Sequence, residues 1–374
     1  MGGGRWTVGE GKRPVRIVVA MSGGVDSSVA AALLTRDGHD VIGLSMQLYD
    51  PHQGETRFGS CCTIDDLHDA RRVAGAIGIP HYIVNFERKF DQHVISDFVR
   101  EYAAGRTPIP CVHCNGDLKF ASLVDRAQGF DAEAVATGHF AQVDFDEVSR
   151  RYRLRRGADR QKDQSYFLFT LTQAQLARAR FPVGALDKAA VREEARRLGL
   201  RVAEKKDSQE ICFVASGEHP AFVAARAQMP AGAIRDREGH VLGRHDGVHR
   251  FTIGQRKGLG LSAGIPLYVV GIDAADASVT VGSKADLERG TLTASRVNWM
   301  SGDTPAAPLR ASVQIRYRHH AAPATIAPLA DGRARVTFDL PQSAITPGQA
   351  VVFYDGDVVL GGGWIDSDAA APLH

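Results

Sequence analysis

Five cysteines in 374 residues are too few for a disulfide framework. Such a chain suits a reducing cytoplasm, where paired thiols bind metal or do chemistry. No run of about 18 apolar residues occurs, so no membrane-spanning helix and no membrane partner is expected. Net charge is only +2. That excludes a broadly basic nucleic-acid coat and leaves room for local basic patches. The chain has no Gly-Lys-Ser/Thr loop of the Walker A type after its first strand, and no G-x-G-x-x-G there. A second C-x-x-C that would complete a four-ligand zinc knuckle is missing too. The Gly-rich, polar residues 1–13 lack the apolar stretch of a secretory signal and read as a disordered leader.

What is present has an ordinary globular balance, 44% hydrophobic and 24% charged. From 15 to 138 short apolar runs alternate with helical periodicity. Strands are expected at 15–21, 40–48, 81–86 and 132–138, with helices between them. The pattern predicts an α/β fold with a doubly wound parallel sheet over 14–216, whose ligands bind beyond the carboxyl ends of the strands. Residues 141–156 read as a hairpin and 188–200 as an amphipathic helix. Beyond 216, short strands and Gly/Pro/Asp turns dominate. They predict a small, mostly-β linker domain at 217–285 and a C-terminal β-barrel domain at 286–368.

The most specific motif is AMSGGVDSS at 20–28, directly after a strand and opening a helix. Gly23 and Gly24 permit a tight turn and close approach of a ligand. The helix start at Ser27 and Ser28 favours an anion. The motif resembles the PP-loop of the ATP pyrophosphatases, a resemblance that implies cleavage of ATP between its α and β phosphates. It puts Ala20, Met21, Ser22, Gly23, Gly24, Val25, Asp26 and Ser27 on the nucleotide, with Asp26 organising Mg2+ and pyrophosphate. Met46 is expected near the adenine and Gly138 where the nucleotide passes the backbone.

Cysteines occur as Cys111 and Cys114 in PCVHCN, Cys212 in KKDSQEICF, and Cys61 and Cys62 in GSCCT. The last two read as incidental. For C-x-x-C the zinc reading lacks ligands, although Cys212 and His113 could complete a site. A thioredoxin-type site should open a helix after a strand, whereas Pro108 and Pro110 precede this pair. Burial of both thiols is disfavoured by the Pro-rich loop in which they are expected to stand, with its polar His113 and Asn115.

SGGVDSS, GRTPIPCVHCN with LKF, TGHFA, KDQSYFL, DSQEICF and TIGQRKGLG follow one another through residues 20–260. In this order they resemble the tRNA-specific 2-thiouridylase family over about 15–365. The resemblance implies ATP-dependent adenylation of uracil O2 at the wobble position, then sulfur transfer and release of AMP. Cys114 matches a nucleophilic or resolving cysteine, and Cys212 the cysteine that carries a persulfide from a donor protein. Lys205 and Lys206 would favour the Cys212 thiolate. Cys111 stands where some members have an aspartate proposed as a base. The alternative is that Cys111, Cys114 and Cys212 hold a [4Fe-4S] cluster with one open iron. Ile109 replaces the Asn common in the family.

The resemblance places Ile109, Pro110, Cys111, His139, Lys162, Asp163, Gln164, Arg316, Tyr317 and Gln349 at the tRNA, near its anticodon. Independently, Arg150, Arg151, Arg153, Arg155, Arg156, Arg160 and Lys162 form a local basic run that suits phosphates. TIGQRKGLG suits a loop that follows an RNA backbone. Two other readings compete: a nitrogen-transferring PP-loop synthetase, and a non-catalytic RNA-binding module with a zinc knuckle.

Overall fold

The computed structural model describes residues 14–48, 64–205, 211–214, 217–262 and 264–367. The leader at 1–13, Cys61, Cys62 and Lys206 lie outside the described residues. The described residues fall into two compact units, one within 1–93, 111–215 and 357–359, the second within 94–110, 216–356 and 360–374.

In chain order the first half holds β1 (Arg16–Ala20), α1 (Val25–Arg36), β2 (Asp40–Gln47), α2 (Ile64–Ile77), β3 (His81–Asn85) and α3 (Glu87–Phe90). Next come α4 (Ser96–Ala103), α5 (Pro110–His113), α6 (Ala121–Gly129) and β4 (Ala134–Ala136). The hairpin β5 (Ala141–Asp146) and β6 (Arg151–Arg156) follows, then α7 (Gln173–Arg178), β7 (Ala179–Arg180) and α8 (Lys188–Arg197). The sheet order is β3-β2-β1-β4-β7, and every pairing in it is parallel. This is the doubly wound arrangement. Its central strands are apolar on both faces, as burial under helices on each side requires. Ile17, Val19, Ala134 and Ala136 meet Val29, Ala30, Val191 and Ala195 in one core.

One expectation fails at the cysteine pair. Pro110 does not keep the chain in a loop but opens α5, the position where a missing N–H and a preset φ suit a helix. The helix continues without a break through a widened π-helical turn, Cys114–Phe120, into α6. Cys114 is therefore buried, 6% exposed, while Cys111 one turn earlier is half-exposed.

In the second unit α4 packs by Phe98 on Phe222 and by Tyr102 on His219, two residues of α9 (His219–Ala224). The linker sheet is β8 (Gly232–Arg235), β9 (Val241–His245), β10 (Tyr268–Asp273) and β11 (Ser278–Gly282), in the order β10-β11-β8-β9. The last strands are β12 (Glu288–Trp299), β13 (Leu309–Gln314), β14 (Ala322–Pro328), β15 (Ala334–Ser343), β16 (Ala350–Asp355) and β17 (Val358–Ile365). Pairing of β12 with both β15 and β17 closes them into a barrel around Val313, Ile326, Val336 and Phe353. No helix among the described residues is long and apolar enough to cross a membrane.

Candidate nucleotide and sulfur site

Residues 21–24 join β1 to α1 at the carboxyl end of the sheet, where strand order reverses between β2 and β4. Gly24 leads into α1 without any side-chain cap, so the first N–H groups of the helix remain open to an anion. Gly23 has φ +72°, and a Cβ there would lie 2.2 Å from the Asp66 carbonyl oxygen. A Cβ on Gly138 would lie 2.4 Å from the Ser27 nitrogen. The close approach that Gly138 permits is therefore to the loop backbone itself.

The loop hydroxyls divide by direction. Ser27 and Ser28 turn inward and donate to the Gly24 carbonyl at 3.2 and 2.8 Å. Ser22 is exposed, and its N–H donates to Ser27 Oγ. Met21 and Met46 are buried at the strand ends, 2% and 6% exposed. Ser45 Oγ donates to the Met21 carbonyl at 2.6 Å and steadies the approach to the loop.

Two lysines close on this loop from distant parts of the chain. Lys188 Nζ lies 2.7 and 2.9 Å from the two carboxylate oxygens of Asp26. Lys205 Nζ donates to the Gly23 carbonyl at 3.0 Å, to Asp66 at 2.6 Å and to Asp69 at 2.7 Å. Burial pulls the Lys205 pKa down, but the bonds and charges of Asp66 and Asp69 outweigh it, and the pKa ends raised. These bonds commit the Lys205 ammonium to the loop, a different post from the support of Cys212 expected of it. The pairing of Lys188 with Asp26 escaped the sequence reading. Its one signal was a cation at the first position of a helix, against the helix dipole.

None of Cys111, Cys114 and Cys212 is in a disulfide; Cys114 is buried and the other two are half-buried. Cys212 is followed by Phe213, whose ring packs edge-on against Phe90 of α3 at 5.6 Å. The short helix α3 also packs on the π-helical turn that Cys114 begins. Two segments about a hundred positions apart in sequence thus share one footing. Among the described residues, the grouping close enough to share one metal ion is Asp236, Glu238 and His240, and it includes no cysteine.

His139 follows Gly138 and bonds Thr137 Oγ1 through Nδ1 at 2.6 Å. Burial, aided by the charge of Lys119, pushes its pKa down to about 3. At neutral pH it is an uncharged hydrogen-bonding group. Asp163 is buried, and its oxygens accept from Gly157 N, Ser165 N, Ser165 Oγ and Arg156 Nη1 at 2.9–3.1 Å. Gln164 exchanges bonds with the backbone of Phe140, through its side chain at 3.0 Å and its own N–H at 2.9 Å. Both residues brace the chain on either side of His139 and Lys162.

The basic run is largely paired within its own neighbourhood. Arg153 forks onto Asp144, Arg155 also reaches Asp144, and Arg150 meets Glu147. Arg156 is held by Asp163 and Arg160 by Asp357. Compensation of this kind leaves much less net positive charge than seven basic residues suggest.

In the second unit Gln349 Nε2 donates to the carbonyls of Thr107 and Pro108 at 2.9 and 3.4 Å. Thr107 N in turn donates to the Pro347 carbonyl at 2.9 Å. Gln349 thus holds the loop that leads into Ile109 and buried Pro110. Arg316 is exposed and donates to the Ser343 carbonyl at 3.2 Å, with half-buried Tyr317 beside it. Near TIGQRKGLG, a cavity of about 420 Å³ is lined by Arg256, Leu259, Ile265 and neighbouring glycines.

Comparisons with known proteins find relatives over nearly the whole chain. Residues 15–216 match a family model described as tRNA methyl transferase HUP domain. Residues 220–283 match the corresponding PRC-barrel domain, and 289–365 an aminomethyltransferase beta-barrel domain. A tRNA-specific 2-thiouridylase of Geotalea uraniireducens is 55% identical, over 94% of this chain and 95% of that protein. One of Solibacter usitatus is 53% identical, over 94% of this chain and 99% of its own. One of Acetivibrio thermocellus is 45% identical, over 94% and 99%.

Proposed function

The chain belongs to the tRNA-specific 2-thiouridylase family, and from that premise we propose that it replaces O2 of the wobble uridine of tRNA by sulfur at the expense of ATP. The observation that carries the reading is the shared footing on α3 of the segments that bear Cys114 and Cys212, in the same unit as an uncapped, glycine-lined helix start. A methyl transfer, as the family models' descriptions word it, has no use for a pyrophosphate-holding loop.

ATP supplies an adenylyl group that turns uracil O2 into a good leaving group. The open N–H groups of α1, the Gly23–Gly24 turn and exposed Ser22 would hold the phosphates, and Asp26 would help to hold the accompanying Mg2+. The donor set fits: a turn no side chain can fill, an anion-binding helix start and one carboxylate. Cys212, half-exposed, receives a persulfide from a donor protein. Its terminal sulfur forms the new bond to C2 while the C2–O2 bond breaks toward AMP. Cys114 then attacks the sulfur of Cys212, the bond from Cys212 to the transferred sulfur breaks with its electron pair leaving on the sulfur that stays on C2, and the resulting Cys114–Cys212 disulfide is reduced by cellular thiols. The persulfide is the better nucleophile because an ordinary thiol of pKa about 8.5 is mostly protonated at neutral pH. Arg316, Tyr317 and Lys162 are the contacts offered to the anticodon region, while Asp163, Gln164 and Gln349 shape the loops behind them. We infer that it works in the cytoplasm, where tRNA, ATP and reducing thiols occur together.

The test is thiolation of unmodified tRNA with ATP and a persulfide donor. Wild type is expected to form 2-thiouridine and to release pyrophosphate only with tRNA present. Cys114→Ala and Cys212→Ala should abolish thiolation but leave ATP binding intact. Thiolation that survives in Cys212→Ala would remove the persulfide role. Protein purified without oxygen is expected to be colourless; a brown protein whose iron and acid-labile sulfide vanish in Cys111→Ala would replace the persulfide scheme with a cluster.

A further inference from the structure

Lys188 occupies a place that its own helix does not favour. As the first residue of α8 it puts a cation at the positive end of a helix dipole. Its backbone N–H is fixed by Asp159 Oδ2 at 3.1 Å, while Asp187 caps the helix through the Ala190 N–H at 2.7 Å. The side chain reaches back across the switch point, passes Phe140 with Nζ 5.7 Å from the ring centroid, and ends on both oxygens of Asp26. It is only 12% exposed, so the ammonium has given up most of its water to be there.

Asp26 lies in the first turn of α1, among the N–H groups that would receive the pyrophosphate half of ATP. A carboxylate there opposes an incoming polyphosphate unless its charge is matched. Lys188 supplies that match, with its Nζ on both Asp26 oxygens at the start of α1. Lys205, by contrast, has three short bonds to backbone and acid and is committed to holding the loop's shape.

We propose that Lys188 is a catalytic residue of the adenylation step, moving from Asp26 onto the β and γ phosphates and stabilising the departing pyrophosphate. In that step uracil O2 forms a bond to the α-phosphorus. The bond from that phosphorus to the α–β bridging oxygen breaks, and its electron pair leaves on pyrophosphate. The ammonium of Lys188 meets the charge that develops there. The assignment rests on the ATP reading given above.

The experiment measures binding to the full chain by calorimetry, with magnesium and without tRNA. Pyrophosphate, ATP and AMP are titrated into wild type, Lys188→Met, Lys188→Gln and Lys188→Arg. Loss of the ammonium should weaken pyrophosphate and ATP by about tenfold or more and AMP by less than about twofold, with Arg recovering most of the loss. Gln keeps a hydrogen bond to Asp26 and serves the comparison if the Met variant does not fold. Equal weakening of AMP and pyrophosphate, or unchanged pyrophosphate affinity, would show Lys188 to be only a strut between α1 and α8. Wild type that binds neither ATP nor pyrophosphate would overturn the nucleotide reading itself.

Discussion

His139 shows how one residue's surroundings set its chemistry. Its pKa of about 3 lies below the value near 6.5 expected in the unfolded chain. Between those values the unfolded state binds more protons, so stability is full above the upper value and falls as pH drops toward the lower one. Unfolding temperature should therefore fall from pH 7 to pH 5, and less so in His139→Asn. The ring should show no titration by NMR across that interval. Asp163 makes the complementary case. Asp163→Ala leaves the Arg156 guanidinium, itself only 17% exposed, without its carboxylate. The expected loss is about 3 kcal/mol, read by urea unfolding. Both outcomes turn on contacts across more than the local sequence. KDQ was legible as a motif, but its division into an internal brace and a surface contact was not, because the bonds of Asp163 run to Arg156 and Gly157.

At the scale of elements, sequence reading succeeded where the signal was local. The strand–SGGVDSS–helix junction stands where the motif put it, because glycine placement and apolar runs are properties of adjacent residues. It fails at PCVHC, where clustered prolines suggest a loop, although proline is equally at home in the first turn of a helix. The π-helical turn after it is set by packing, with Gly116 pressed against Thr170: a Cβ would lie 2.2 Å from its hydroxyl. Gly138→Ala should be costly for the same reason. Its new methyl would meet the backbone of Asp26 and Ser27, displacing the loop and weakening pyrophosphate binding as well as stability. A loss of about 2 kcal/mol in thermal or urea unfolding is expected. Gln349→Ala acts on a different element. It removes the donor to Thr107 and Pro108, costs about 1 kcal/mol, and should speed amide exchange at Thr107, whose N–H bonds Pro347.

For the whole molecule, the two units do not follow the order of the chain. Helix α4 lies between segments of the first unit in sequence yet takes its apolar partners, Phe222 and His219, from the second. A fragment ending at residue 216 should therefore leave Phe98 and Tyr102 without cover. Limited proteolysis is expected to cut that fragment within 94–110, a stretch that resists in the full chain. The same division has a consequence during synthesis. Residues 357–359 belong to the first unit, so the ribosome makes the last part of that unit after nearly all of the second. The first unit is therefore completed only after most of the second has been made, and over that interval the nascent chain stays partly assembled and exposed to aggregation.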